Sequence, residues 1–296
     1  MYNAIAANRF RTILLMAIFF AVIVGIGWLL SYTYHDPSIL VIAVIVSVVM
    51  NWISYFYSDR VALAINRARL ADPHDLTQQK VIHLVENLSI TAGIPTPRVY
   101  IISDASMNAF ATGRDPKHAS IALTRGIIEA LDKTELEGVI AHELSHVKNY
   151  DILLSTVVIT LVGAVTLLAD WFVRTRWLFR SRDDRDGAGS ILVVLGLVLI
   201  IFAPIFTTLL QLAISRKREF LADASGAMLT RYPEGLAKAL EKIAANPKSL
   251  RTANRATAHL FIVSPFADKV QTTIASLWST HPPVEQRIKL LRSMGA

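Results

Sequence analysis

The sequence predicts a mainly α-helical membrane protein, with four transmembrane helices and an α+β polar region that carries a small antiparallel sheet. Apolar residues fill 53% of the 296 positions and charged residues only 18%, which is low for a soluble domain. That apolar excess is gathered into four blocks: Ile13 to Leu30, Ile39 to Tyr57, Ile152 to Val173 and Ile191 to Ile214. Each is close to the roughly 20 residues a helix needs to cross about 30 Å of hydrocarbon. After the second block the texture changes, with RVYII, NAFAT and ASIALT divided by SDASM and GRDPK, as short strands and turns require.

The first block is not expected to be a cleaved leader. Its exit, SYTYHDP, has no small-x-small site, and a second apolar run follows at once. Arg9 and Arg11 precede the first block, Arg60, Arg67 and Arg69 follow the second, and the short link between the blocks carries no basic residue. That bias places the N-terminus and the region after Tyr57 in the cytoplasm. The third and fourth blocks read as a hairpin that returns Asp151 and Ser215 to one side. Their link, RTRWLFRSRDDRDGAGS, holds five arginines, so a full crossing runs against the charge bias.

The chain thus divides into four regions: 1–57 with two transmembrane helices, 58–151 with the sheet, 152–214 as the hairpin and 215–296 as a helical region. The 58–151 region opens with a helix-like stretch, DRVALAINRARL, then LTQQKVIHLVENLSITAGI, a helix ended by Gly93 and Pro95. Thr134 and Glu137 have capping-box spacing and start a helix whose apolar face is Leu136, Val139, Ile140, Leu144 and Val147. In 215–296, Pro233 sits where a first-turn proline belongs, and Pro265, Pro282 and Pro283 interrupt the helical pattern after it.

The chain has no cysteine, so any metal must be held by His, Asp or Glu. Its net charge of +7 suits an anionic membrane surface. No basic stripe is interleaved with aromatics, so nucleic acid is not an expected partner.

Chemistry concentrates in AHELSHVKNYD, Ala141 to Asp151. On a helix, residues four apart share a face, so His142 and His146 can direct two imidazoles at one centre. A catalytic zinc typically takes three protein ligands and a water, whose pKa it lowers from 15.7 to about 7. Glu143, beside the first histidine, is placed to accept that water's proton. The third ligand is sought on a later helix. SRKREFLADASGAML offers Glu219, with Asp223 four residues on to receive the free N–H of a ligating histidine. A merely solvated acidic face is the competing reading. Arg287 either pairs with Asp223 or another carboxylate, or is solvated. His35, His74, His83, His118 and His259 lack motif partners and read as structural or exposed.

With His142-Glu143-Leu-Ser-His146, Glu219-Phe-Leu-Ala-Asp223, Asn108-Ala-Phe-Ala-Thr-Gly113 and Thr280-His-Pro-Pro283 with Arg287 all present, the chain resembles the HtpX-type membrane zinc metalloproteases, relatives of the CAAX prenyl proteases. The resemblance implies a zincin-like catalytic region holding one Zn2+ per chain through His142, His146 and Glu219, with Glu143 as general base. It implies a multi-pass protein of a bacterial-type inner membrane, its active site facing the cytoplasm. It further implies a stress-response role in quality control, cutting unfolded or misassembled membrane-protein substrates. Asn108, Ala109, Phe110 and Ala111 would belong to an edge strand that receives substrate, since such an edge can pair with an extended peptide. His281 would lie near the active site, as an oxyanion donor or as an ordering group for the Pro282-Pro283 turn.

Two other functions compete. A non-enzymatic scaffold or holdase stapled by zinc would normally close its site with a fourth protein ligand, and no motif nominates one. A transporter would place ionisable residues in mid-membrane, and the four blocks have almost none.

Overall fold

The computed structural model describes residues 2–161, 163, 216–246, 248–252, 257, 260–263 and 282–294. Helices α1 (Tyr2–Tyr34) and α2 (Pro37–Ile65) form a tight hairpin. Its turn is set by Asp36, which accepts the Ser38 backbone N–H at 2.9 Å, with Pro37 in the first turn. Both helices are long and apolar enough to cross a membrane. They present Ile13, Trp28, Val41, Ile45 and Trp52 outward, an apolar surface that water disfavours and lipid does not. Among the described residues these are the two helices that are long and apolar enough to cross a membrane. The expected hairpin of the third and fourth blocks lies outside them, apart from its first turns.

Helix α2 runs unbroken past Tyr57 to Ile65, so the expected boundary at residue 58 falls inside a helix. The expected helix-like stretch to Leu70 therefore ends earlier, and Arg69–Leu70 is the short strand β1. Asn66 closes α2, its backbone N–H bonding Ala62 O, and Arg67 turns the chain at φ 51°.

Strands β2 (Arg98–Ile102), β3 (Ala109–Gly113) and β4 (Ala119–Thr124) complete a sheet of order β1-β2-β4-β3. The sheet is mixed rather than antiparallel: β1–β2 and β3–β4 are antiparallel, but β2–β4 is parallel. The cause is the connection 103–108, which carries the chain past the slot beside β2. β4 then returns into that slot and leaves β3 at the sheet's end. Every residue of β3 and β4 is buried, because both faces are covered. Ala109, Ala111, Ile121 and Leu123 join Val81, Val85 and Leu144 in one core. Phe110, Ala122 and Ile102 pack with Ala62, Leu63 and Phe261 on the other side.

Helix α3 (Leu76–Ala92) is capped by Asp75, which accepts Thr77 N and Gln78 N, and it ends at Gly93 with φ +68°. A short α4 (Arg125–Ala130) leads to α5 (Lys133–Lys148). The capping box of α5 is Asp132 with Glu135, not Thr134 with Glu137. Thr134 instead donates its hydroxyl to Asp132 Oδ1, since the stronger carboxylate cap lies two residues earlier. Helix α6 (Asp151–Leu161) begins after Tyr150, whose left-handed φ of 59° breaks the path. It packs Leu153, Leu154, Val157 and Leu161 against Leu15 and Phe19 of α1. Helices α7 (Arg216–Thr230), α8 (Pro233–Ala245) and α9 (Val284–Met294) complete the described chain, with Pro233 in a first turn as expected.

Candidate metal centre

The apolar face expected for α5 is buried, from Leu136 to Val147, and this sets the opposite, polar stripe against α7. The approach is close because α7 carries Gly226 there: a Cβ at that position would stand 2.9 Å from the backbone N of His142. Across this contact Glu219 of α7 meets the two histidines of α5. His142 Nε2 and His146 Nε2 are 3.2 Å apart, and the Glu219 oxygens lie 3.8 Å and 3.6 Å from them. The three donor atoms fall within 4.8 Å of one another. Zinc–nitrogen bonds of 2.0–2.1 Å in a tetrahedron separate ligands by about 3.3 Å, so the set fits such an ion with a small inward shift of the carboxylate.

Each histidine has a carboxylate beside its other nitrogen, within hydrogen-bonding geometry at His146 and at ion-pair distance at His142. His142 Nδ1 is 2.9 Å from Asp223 Oδ1, and His146 Nδ1 is 3.0 Å from Asp151 Oδ2. With protons on the two Nδ1 atoms, both Nε2 atoms would face Glu219 inside the cluster, a donor set suited to a divalent cation.

The surroundings of the two imidazoles differ. Burial holds the pKa of His142 below its ordinary value, against the pull of Asp223. Burial acts the same way on His146, but the Asp151 hydrogen bond and the charges of Glu219, Asp151 and Glu143 outweigh it and raise the pKa to about 9. Asp223 is itself gripped: Arg287 Nε donates to Oδ2 at 2.8 Å and Nη2 to Oδ1 at 2.7 Å. Burial alone would raise the Asp223 carboxyl, yet the buried guanidinium holds it at about 2. Arg287 Nη1 also donates to Ile262 O at 3.0 Å. Of the readings open for Arg287, the pair with Asp223 is the one formed.

Glu143 faces a cleft of about 30 Å³ that it shares with Ala111, His142, His146, Glu219 and Ile262, enough for one or two waters. Burial raises its carboxyl to about 7, with Glu219 adding to the effect and His146 opposing it. The Ala111 backbone N–H works against that rise, and Ala111 lines the same cleft, which ties the sheet's end strand to the site.

Of the four residues expected to receive substrate, Ala111 alone lines the cleft. Asn108 clasps Val263, donating to its carbonyl at 2.9 Å, while Ala109 O accepts from Ile262 N at 3.1 Å. Phe110 is fully buried and meets the Phe261 ring edge-on at 5.2 Å. His281 lies outside the described residues. One participant went unassigned in the sequence, Asp151. Its signal was present, an acid just past the second histidine, but only the left-handed Tyr150 turns that carboxylate back to His146.

A paired-histidine helix, a third candidate ligand from a later helix and a buried glutamate in one cleft, in a chain with two helices long and apolar enough to cross a membrane, fit a membrane metalloprotease. The description of Peptidase family M48 matches residues 75–295, which contain all of these side chains, and the chain belongs to that family. It is 43% identical over 301 residues to the Protease HtpX homolog of Caldanaerobacter subterraneus subsp. tengcongensis, covering 99% of this chain and 98% of that one. It is 46% identical over 293 residues to the Protease HtpX homolog of Thermococcus kodakarensis, covering 96% and 95%. The crystal structure of S. mikatae Ste24p superposes with a TM-score of 0.50 over 98% of this chain and 67% of that one, at 17% identity; the two share a fold.

Proposed function

We propose that the chain is a zinc endopeptidase holding one Zn2+ through His142, His146 and Glu219, and that it acts at the cytoplasmic face of a bacterial-type inner membrane in quality control of unfolded or misassembled membrane proteins. The observation that carries this reading is the convergence of three donor atoms within 4.8 Å on a cleft that Glu143 also lines. Bound zinc supplies Lewis acidity and lowers the pKa of water. Glu143 accepts the proton of the attacking water and delivers it to the leaving amine. Asp223 and Asp151 fix the histidine rings with Nε2 inward, and Arg287 holds Asp223 in place. An extended peptide is placed at Ala111, the part of the end strand that lines the cleft, and His281 is assigned to the oxyanion or to ordering of the Pro282-Pro283 turn.

Orientation rests on the arginines near the N-terminal end of α1 and at and beyond the C-terminal end of α2. With it goes the division into membrane helices (1–57), sheet region (58–151), membrane hairpin (152–214) and helical region (215–296). A reporter fused near Asp184 should read out on the side opposite the active site; a cytoplasmic signal there overturns the four-span layout.

Cleavage of an unfolded protein by the detergent-purified, zinc-loaded chain tests the chemistry. Glu143→Gln should keep one zinc and lose activity by about 10²- to 10⁴-fold, the usual contribution of a general base. Full cleavage by that variant overturns the role of Glu143. Zinc bound without cleavage by the parent chain points instead to the scaffold.

A further inference from the structure

We infer that the first membrane helix is a working part of the metal centre, with Asn8 as a positioning residue for the ligand His146. This rests on the reading of His142, His146 and Glu219 as metal ligands. Asn8 sits in the second turn of α1, far from the catalytic motif in sequence and nearly fully buried. Its side-chain nitrogen donates to Asp151 Oδ1 at 2.7 Å and to the Asn149 carbonyl at 3.1 Å. Both partners are acceptors only, so the nitrogen, not the oxygen, must face them. The other oxygen of Asp151 is the one that meets His146 Nδ1, at 3.0 Å. A continuous path therefore runs from the α1 amide through the Asp151 carboxylate to the imidazole, whose Nε2 points at the cluster.

The amide does something the rest of the site does not. Asp151 stands at the break between α5 and α6, just after the left-handed Tyr150, where neither helix ladder fixes its rotamer. Arg218 offers charge to the same Oδ1, but at 3.6 Å, too long for a hydrogen bond. Asn8 also bonds the Asn149 carbonyl, one of the last of α5, and so pins the break itself. Arg9, the next residue, lies over the Tyr150 ring at 4.5 Å. Two neighbouring residues of α1 thus clamp the kink that aims the carboxylate. The seat is rigid because Leu15 and Phe19 of α1 are buried against α6.

The test uses the full chain in detergent or nanodiscs, with Co2+ as the probe. Asn8→Ala should weaken Co2+ binding by about 3- to 10-fold, somewhat less than the 10- to 100-fold usual for a direct orienting partner. It should also alter the visible absorption of the bound Co2+, which reports ligand geometry. Thr12→Ala is the companion variant: Thr12 is buried in α1 and bonds the Asn8 carbonyl, and it should leave the spectrum unchanged. Asn8→Ala with unchanged affinity and spectrum, even if less thermostable, overturns the proposal and leaves Asn8 as a packing residue. A parent chain that binds no Co2+, or binding that survives His146→Ala, overturns the ligand assignment and the proposal with it.

Discussion

The two histidines proposed as ligands sit one turn apart on the same helix, yet they are held by different parts of the molecule. His142 belongs to the soluble half: Asp223 of α7 orients it, and the fully buried Arg287 of α9 grips that carboxylate with two hydrogen bonds. His146 belongs to the membrane half: Asp151 orients it, held by the Asn8 amide of α1 and by Arg218 at a distance. The soluble half is a closed ion pair with matched charges. The membrane half relies on a neutral amide and on the packing of a transmembrane helix. On the proposed metal site, this comparison predicts one support from each half, so that metal retention should report on the seating of α1.

The largest effect should come from breaking the closed half. Arg287→Ala leaves Asp223 buried without its counter-charge, a loss of about 3 to 5 kcal/mol, measured as thermal unfolding of the metal-free protein. Arg218→Ala should cost less, because Asp151 keeps Asn8; equal losses would dissolve the distinction between the halves. Next in size, Gly226→Ala drives a methyl into the His142 backbone and should cost about 1 to 3 kcal/mol as overpacking does, with weaker metal binding.

Asp223→Asn and Asp151→Asn should each weaken zinc by about 10- to 100-fold in competition with a chelator. Asp223→Asn breaks two short hydrogen bonds to a fully buried guanidinium, whereas Arg218 meets Asp151 only at 3.6 Å, so Asp223→Asn should destabilise the metal-free chain more. The smallest effect is in acid. The folded-state pKa of Asp223 is depressed from 3.8 to about 2, so its contribution is whole above about pH 4 and fades as pH falls through about 2. The metal-free stability of Asp223→Asn should therefore fall less than that of the parent on going from about pH 5 to about pH 3. Identical slopes would contradict the pairing.

Much of the site was legible because helical spacing is local information. His142, Glu143, His146, Glu219 and Asp223 stand at fixed intervals in two short stretches, and any helix through them must present them on shared faces. Apolar blocks predicted α1 and α2 for an equally local reason, since spanning depends on length and composition. The mixed sheet was not legible. Strand order depends on which slot the chain fills after residues 103–108, and the same alternation of residues serves parallel and antiparallel neighbours. The cap of α5 falls two residues before the expected one because Thr134 and Asp132 both satisfy a capping spacing. That competition is decided by which acceptor reaches the backbone N–H groups.

By itself, then, the sequence determined which side chains share the helix faces of the candidate centre and which helices are apolar enough to span a membrane, both written in spacing and hydropathy. Only the tertiary structure decided how the ligands are held. Asn8 reaches Asp151 across 143 residues, and Arg287 reaches Asp223 across 64. Hydrogen bonds of that kind depend on how helices pack, and packing is set by the whole chain at once rather than by any stretch of it.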